Sequence, residues 1–311
     1  PKFDDRTLLR YPPGYHGEPM TTALDWSAYP GAGGGFQGAV EMCNNNGTCR
    51  KLQGGAMCPS YRVTREEKDV TRGRANTLRL AVTGQLGPDA FTSDDMAETL
   101  KLCVSCKSCR RECPTGVDMA RMKIEVLAAR AAKYGLTLHQ RLVGYLPRYA
   151  RYAALLPELP NLRDRVPLLR RLSERIAGFS ARRSLPRWRR DVFRDDDPAV
   201  ARAQERAGEA AEVVLFVDTF NRYFEREIVD AALAALAAAG YRIHVARPAR
   251  GRRPLCCGRT FLSVGRVDEA RREAERTLAA LEPFIARGVA VVGLEPSCLL
   301  TFRDEWPVLV K

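Results

Sequence analysis

Histidine is scarce in this chain, at three residues in 311. A site built on imidazole ligands or on a histidine base has almost nothing to draw on. No run of about 18 apolar residues occurs, which excludes a membrane-spanning helix as an organising element. The first ten residues, Pro1 to Arg10, are polar and lack the apolar stretch of a secretion signal. The ten cysteines therefore do not read as the disulfide framework of a small secreted domain. They read as thiolate ligands or redox groups in a reducing cytosol. The first residue is not methionine, so the sequence is expected to be a fragment of a longer polypeptide.

Seven cysteines lie between Cys43 and Cys113 and three between Cys256 and Cys298. The run Cys103-x2-Cys106-x2-Cys109-x3-Cys113-Pro114 is the most specific signal. Three cysteines two residues apart let one turn of chain wrap a cubic iron–sulfur cluster, and the fourth, before proline, reaches a second cluster. Zinc sites use cysteine pairs and need neither the third cysteine at that spacing nor the Cys-Pro. An earlier run, Cys43-x5-Cys49-x8-Cys58-Pro59, has Asn46 where a second cysteine would stand. Crossing the ligands as in two-cluster ferredoxins gives Cys58, Cys103, Cys106 and Cys109 to cluster one and Cys43, Cys49 and Cys113 to cluster two. Cluster one is then [4Fe–4S]. Cluster two is [3Fe–4S], or [4Fe–4S] with a non-cysteine ligand such as Asn46.

Residues 1–40 are rich in proline, glycine and tyrosine and read as a linker or arm. Residues 41–135 are expected as a helical cluster domain. Candidate capping boxes are Thr64 with Glu67 and Thr92 with Asp95, and Asp118 caps a helix from Met119 to Tyr134, closed by Gly135. Residues 136–208 read as basic helices cut short by Pro147, Pro157, Pro160, Pro167 and Pro186. In 209–311, strands at 213–217, 241–246 and 289–294 alternate with helices at about 225–239 and 267–286, which predicts a parallel sheet.

Pro254-Leu255-Cys256-Cys257-Gly258 follows the second predicted strand, and Glu295-Pro296-Ser297-Cys298 follows the third. Open α/β sheets place their sites at such carboxyl ends. Cys256, Cys257 and Cys298 are a candidate third redox site, set against the alternative of buried structural thiols.

The 44 residues between Cys58 and Cys103, with their helical signals, resemble the α-helical ferredoxin of succinate dehydrogenase iron–sulfur subunits. The Cys-Cys-Gly region resembles the cysteine-rich CCG domain of glycolate oxidase iron–sulfur subunits and of heterodisulfide reductase. That family has a further cysteine after the first strand, where this chain has Asp218-Thr219-Phe220. As a whole the chain resembles the C-terminal half of FAD-linked D-2-hydroxyacid dehydrogenases of the D-lactate and D-2-hydroxyglutarate type. The strings that carry this are Glu41-Met42-Cys43-Asn44-Asn45-Asn46-Gly47, Thr71-Arg72-Gly73-Arg74-Ala75 and Cys113-Pro114-Thr115-Gly116-Val117-Asp118. The resemblance implies an α-helical two-cluster ferredoxin domain, a basic helical segment and a single α/β CCG domain, truncated at Lys311. It implies that FAD, in a fused or partner flavin domain, oxidises a 2-hydroxyacid, and that this chain relays the electrons to a quinone or other carrier. No residue here is assigned a catalytic role. The alternative it leaves is a thiol–disulfide redox subunit of the heterodisulfide reductase kind, with a further cluster at the third site as a variant.

The net charge of +13 is uneven: from Arg141 to Arg190 there are 13 arginines against Glu158, Asp164 and Glu174. Such a segment meets an acidic partner, anionic lipid or nucleic acid. Tyr145, Tyr149, Tyr152 and Trp188 lie among the arginines, but aromatics at helical spacing are more often packing residues, and basic charge alone does not single out nucleic acid. A cytoplasmic protein is the expectation, with the basic segment docking peripherally on the inner face of a membrane or on a partner.

Overall fold

The computed structural model describes residues 17, 20–29, 34–205, 211–251 and 253–310. These form two compact units, Pro1–Gly135 and Leu136–Lys311. Among the described residues no helix is long and apolar enough to cross a membrane.

The first unit is helical: α1 (Gly35–Glu41), α2 (Pro59–Thr64), α3 (Thr71–Val82), α4 (Asp94–Lys101), α5 (Ser108–Glu112) and α6 (Met119–Tyr134). Helix α6 has the predicted ends: the Asp118 carboxylate accepts from the Arg121 N–H, and Gly135 closes it. The two capping boxes are not formed. Thr64 ends α2 instead of opening a helix, and Ser93, not Thr92, caps α4 by accepting from the Met96 N–H. Part of the stretch expected as an arm is built into the unit. Leu24, Trp26, Phe36, Ala39 and Val40 are buried. The buried Glu125 carboxylate of α6 accepts from the N–H groups of Ala23 (2.8 Å) and Leu24 (2.7 Å) and from Trp26 Nε1 (2.7 Å). Most of the remainder of 1–40, including Pro30 to Gly33, lies outside the described residues.

The string Thr71-Arg72-Gly73-Arg74 has a physical reason at each place. Arg72 pairs with Glu67 at 2.7 Å. A Cβ on Gly73 would lie 1.9 Å from the Glu67 carbonyl oxygen, so only glycine lets α3 start there. Arg74 is 2% exposed and faces the equally buried Asp69 at 3.6 Å. It also donates to the Thr99 carbonyl and to Ser60 Oγ.

The second unit begins with α7 (Leu138–Gly144), α8 (Leu146–Ala153), α9 (Glu158–Arg165), α10 (Pro167–Ala177) and α11 (Pro198–Glu205). Three of the five prolines stand at helix starts: Pro147 in the first turn of α8, Pro157 before α9 and Pro167 as the first residue of α10. Then come β1 (Glu212–Phe216), α12 (Thr219–Tyr223), α13 (Arg226–Ala238), β2 (Arg242–Val245), α14 (Arg259–Leu262), α15 (Val267–Ile285), β3 (Ala290–Gly293), α16 (Pro296–Asp304) and α17 (Trp306–Leu309). The sheet is parallel in the order β2-β1-β3, with Val214 opposite His244 on one side and Val291 on the other.

Alternate residues of β1 serve opposite faces. Val213 and Leu215 pack on Val229 and Leu233 of α13 and on Val200 and Ala203 of α11. Val214 and Phe216 pack on Ala280 and Leu281 of α15 and on Cys257 and Cys298. Both faces are covered, which is why the strand is apolar throughout. Residues 136–205 of the basic helical segment fall in this same unit. Trp188 meets the Phe224 ring edge-on at 4.7 Å, and Tyr145 meets Phe261 edge-on at 5.3 Å. These aromatics therefore pack.

Replacing Arg74 with methionine leaves the Asp69 carboxylate buried without a counter-charge. Urea unfolding followed by circular dichroism should show a loss of about 3–5 kcal/mol; a loss under about 1 kcal/mol would mean the pair is inessential.

Candidate metal centre

Cys58, Cys103, Cys106 and Cys109 line one pocket of the first unit, together with Thr71, Arg74 and Met119. The loop 103–109 turns inward because Ser105 and Lys107 take left-handed backbone angles (φ 54° and 60°), unusual for residues with a Cβ. Cys109 is buried on α5, whereas Cys106 is exposed. Cys58 is also left-handed (φ 48°) and opens α2, with Pro59 as its first residue. The Cys58 sulfur accepts from the Thr71 N–H at 3.1 Å and is hydrogen-bonded to the Thr71 hydroxyl at 2.9 Å. Among the described residues no three Cys, His, Asp or Glu converge as a single metal ion requires. The four thiols line one pocket, as ligands of a polynuclear cluster would.

The other expected ligands lie close by. Cys49 is an electrostatic neighbour of both Cys58 and Cys43, and Cys109 of both Cys103 and Cys58. Cys58 thus has electrostatic neighbours in both groups of thiols. Burial pushes the Cys49 thiol up to about 11 and that of Cys109 up to about 12. It also raises Cys58, against the pull of the Thr71 donors. Such thiols ionise only beside strong positive charge, which an iron core supplies. At Cys113 burial also acts upward, but the Thr115 hydroxyl and the N–H groups of Val117, Thr115 and Gly116 outweigh it and hold the thiol below its ordinary value. Asn46 is not aimed at a thiol. Its side-chain oxygen accepts from the Thr48 N–H at 2.9 Å, and its NH2 donates to Asn44 at 2.6 Å. It caps a short turn, a role the Asn-x-Thr spacing could have signalled. The asparagine beside a thiol is Asn45, with its side-chain oxygen 3.7 Å from Cys43 Sγ.

In the second unit Cys256, Cys257 and Cys298 are buried and line a pocket with Thr219, Phe220, Arg259 and Ser297, beyond the carboxyl ends of the strands. Strand order 2-1-3 puts the end of β1 at the point where the connections diverge, the expected place for a site. Gly258 (φ 87°) is required there: a Cβ would lie 2.9 Å from the Ala270 carbonyl oxygen. The Gly258 N–H donates to Cys256 Sγ at 3.4 Å. The Cys257 thiol, together with burial, pushes Cys256 well above its ordinary value. At Cys257 the Cys256 thiol acts downward, but Cys298 and burial outweigh it. Asp218, at the place of the further cysteine, caps α12 by accepting from the N–H groups of Phe220 (2.8 Å) and Asn221 (3.1 Å) and from Asn221 Nδ2 (2.6 Å). Its oxygens are occupied by the helix start.

Comparison with known proteins bears on both units. Residues 39–117 match the 4Fe-4S dicluster domain family. That match brackets all seven cysteines of the first unit. The chain is also similar to D-2-hydroxyglutarate dehydrogenase of Pseudomonas putida, 27% identical, and to that of Escherichia coli, 24% identical, each over 87% of this chain. The D-2-hydroxyglutarate dehydrogenase of Haemophilus influenzae aligns over the same share at 19% identity. The chain spans about 30% of the length of these relatives. No solved structure matches it significantly. The resemblance to the iron–sulfur half of D-2-hydroxyacid dehydrogenases, seen in its sequence strings, thus extends along most of the chain.

A thiol whose pKa is raised has less thiolate at any given pH. Cys256 and Cys257 should therefore resist iodoacetamide at neutral pH, reacting at less than about a hundredth of the rate of free cysteine. Rapid alkylation of either, located by mass spectrometry, would contradict their neutral, buried state.

Proposed function

We propose that this chain is the electron-transfer portion of a flavin-dependent D-2-hydroxyacid dehydrogenase. The observation that carries the reading is the pocket ringed by Cys58, Cys103, Cys106 and Cys109 inside the segment that matches a two-cluster domain. These four would hold one [4Fe–4S] cluster. Cys43, Cys49 and Cys113 would hold the second. When bound, such clusters take up and release single electrons. The chain's own part is to fix the thiols, bury Cys43, Cys49, Cys58 and Cys109, and donate hydrogen bonds to them. Thr71 does this at Cys58, and the N–H groups after Cys113 do it there. The similarity to D-2-hydroxyglutarate dehydrogenases supports a 2-hydroxyacid as the electron source, with FAD held in a flavin domain or partner. A quinone or another carrier would receive the electrons. Cys256, Cys257 and Cys298 lie where a further redox group or the acceptor would meet the second unit.

The thiol–disulfide alternative draws no support from the geometry. A nucleophilic cysteine needs a lowered pKa and some exposure. Cys256 and Cys257 have neither.

Asn46 is engaged in its own turn, so the second set offers three thiolates. Air-oxidised protein should then give the spin-resonance signal of a [3Fe–4S]⁺ cluster and bind about seven irons in the first unit. Eight irons without that signal would overturn the three-iron assignment. Thr71→Val removes a hydroxyl hydrogen bond of about 1 kcal/mol from the Cys58 sulfur. The potential of cluster one should fall by about 40–60 mV in a redox titration, with iron content unchanged. An unmoved potential would place Cys58 outside that cluster.

A further inference from the structure

Helix α10 carries no buried residue, although a third of it is leucine and isoleucine. Leu168 is 71% exposed, Leu172 47% and Ile176 60%. They recur every four residues and so share one side of the helix. Arg171 and Arg175 have the same spacing and form the adjoining row. Helix α9 packs against α10, and in and before it Leu155, Leu156 and Leu159 are exposed as well. Scattered surface leucines need no explanation, but a run this dense does.

The charge around it is one-sided. The three acids of the segment are used within the unit. Glu158 pairs with Arg190 at 3.0 Å, Asp164 holds Arg163, Arg170 and the Leu185 N–H, and Glu174 accepts from the Ala181 N–H. Some arginines are also internal: the buried Arg163 donates to the carbonyls of Phe179, Ser180 and Arg183. Arg171, Arg175, Arg182, Arg183 and Arg187 are exposed and make no ion pair with a described residue.

We propose that the Leu168–Leu172–Ile176 face of α10, with its arginine flank, docks on the surface of an anionic phospholipid bilayer, the helix lying in the plane of the interface. The argument is complementarity of two kinds at one place. A bilayer offers acyl chains to an aliphatic stripe and phosphates to unpaired arginines, without a shape-matched pocket. A nucleic acid would satisfy the arginines and leave the leucines in water. The stripe has no aromatic anchor of the kind that dominates protein interfaces. The docking is independent of the cluster assignment, since it rests on residues 155–187 of the second unit.

The test is co-sedimentation of the full-length holoprotein with vesicles of phosphatidylcholine alone or with about a third phosphatidylglycerol. The protein should bind only the anionic vesicles, and more weakly as salt rises. Leu168→Ser with Leu172→Ser should weaken binding about tenfold or more. Arg171→Gln with Arg175→Gln should weaken it about tenfold and flatten the salt dependence. Both should keep the wild-type circular dichroism spectrum and dehydrogenase rate with a soluble dye acceptor. The proposal is overturned if the wild type stays in the supernatant, or if either pair of changes leaves vesicle binding intact. It is equally overturned if the leucine changes alter only the oligomeric state, or if duplex DNA is bound in place of lipid.

Discussion

The hydrogen bonds from Thr71 to the Cys58 sulfur organise the first unit. Cys58 opens α2 and Thr71 opens α3, so one sulfur joins two helix starts. Everything that positions Thr71 therefore positions a thiol. Gly73 allows the close approach to Glu67, and Arg74 locks α3 against Asp69 and Ser60. Cys103, Cys109 and Cys49 are all electrostatic neighbours of Cys58.

The two units meet the cost of buried sulfur differently. In the first, raised thiols stand beside hydrogen-bond donors and ring a space, an arrangement whose ionisation depends on a positively charged core. In the second, the neighbouring thiols and burial push Cys256 and Cys257 well above their ordinary value, and these two remain neutral. Asp218 already serves α12 there. The carboxyl ends of the sheet thus form a pocket of quiet thiols, suited to receive a group and poorly suited to attack one.

What could be read from the sequence was the local part. Asp118 and Gly135 bound α6 because a carboxylate cap and a positive-φ glycine are signals within one turn. The strands were found to within about two residues, since a central parallel strand is apolar on both faces and contrasts with its flanks. Ser93 and Thr92 have the same capping chemistry, so the local sequence does not distinguish them and only the tertiary fit selects Ser93. The attachment of Leu24 and Trp26 to Glu125 was invisible because it joins residues about a hundred positions apart. The arginine excess was plain, but its division was not. Arg163 and Arg222 are buried donors to backbone carbonyls, whereas Arg171 and Arg175 face outward. That division depends on loop paths which no local pattern encodes.

The central claim is that electrons from a 2-hydroxyacid pass through the thiol-ringed sites of this chain. The most direct measurement is rapid mixing of the full-length protein with D-2-hydroxyglutarate, followed by freeze-quench spin resonance and flavin absorbance. The account predicts that the clusters become reduced within the same turnover as the flavin. Full flavin turnover with the clusters oxidised throughout would contradict it.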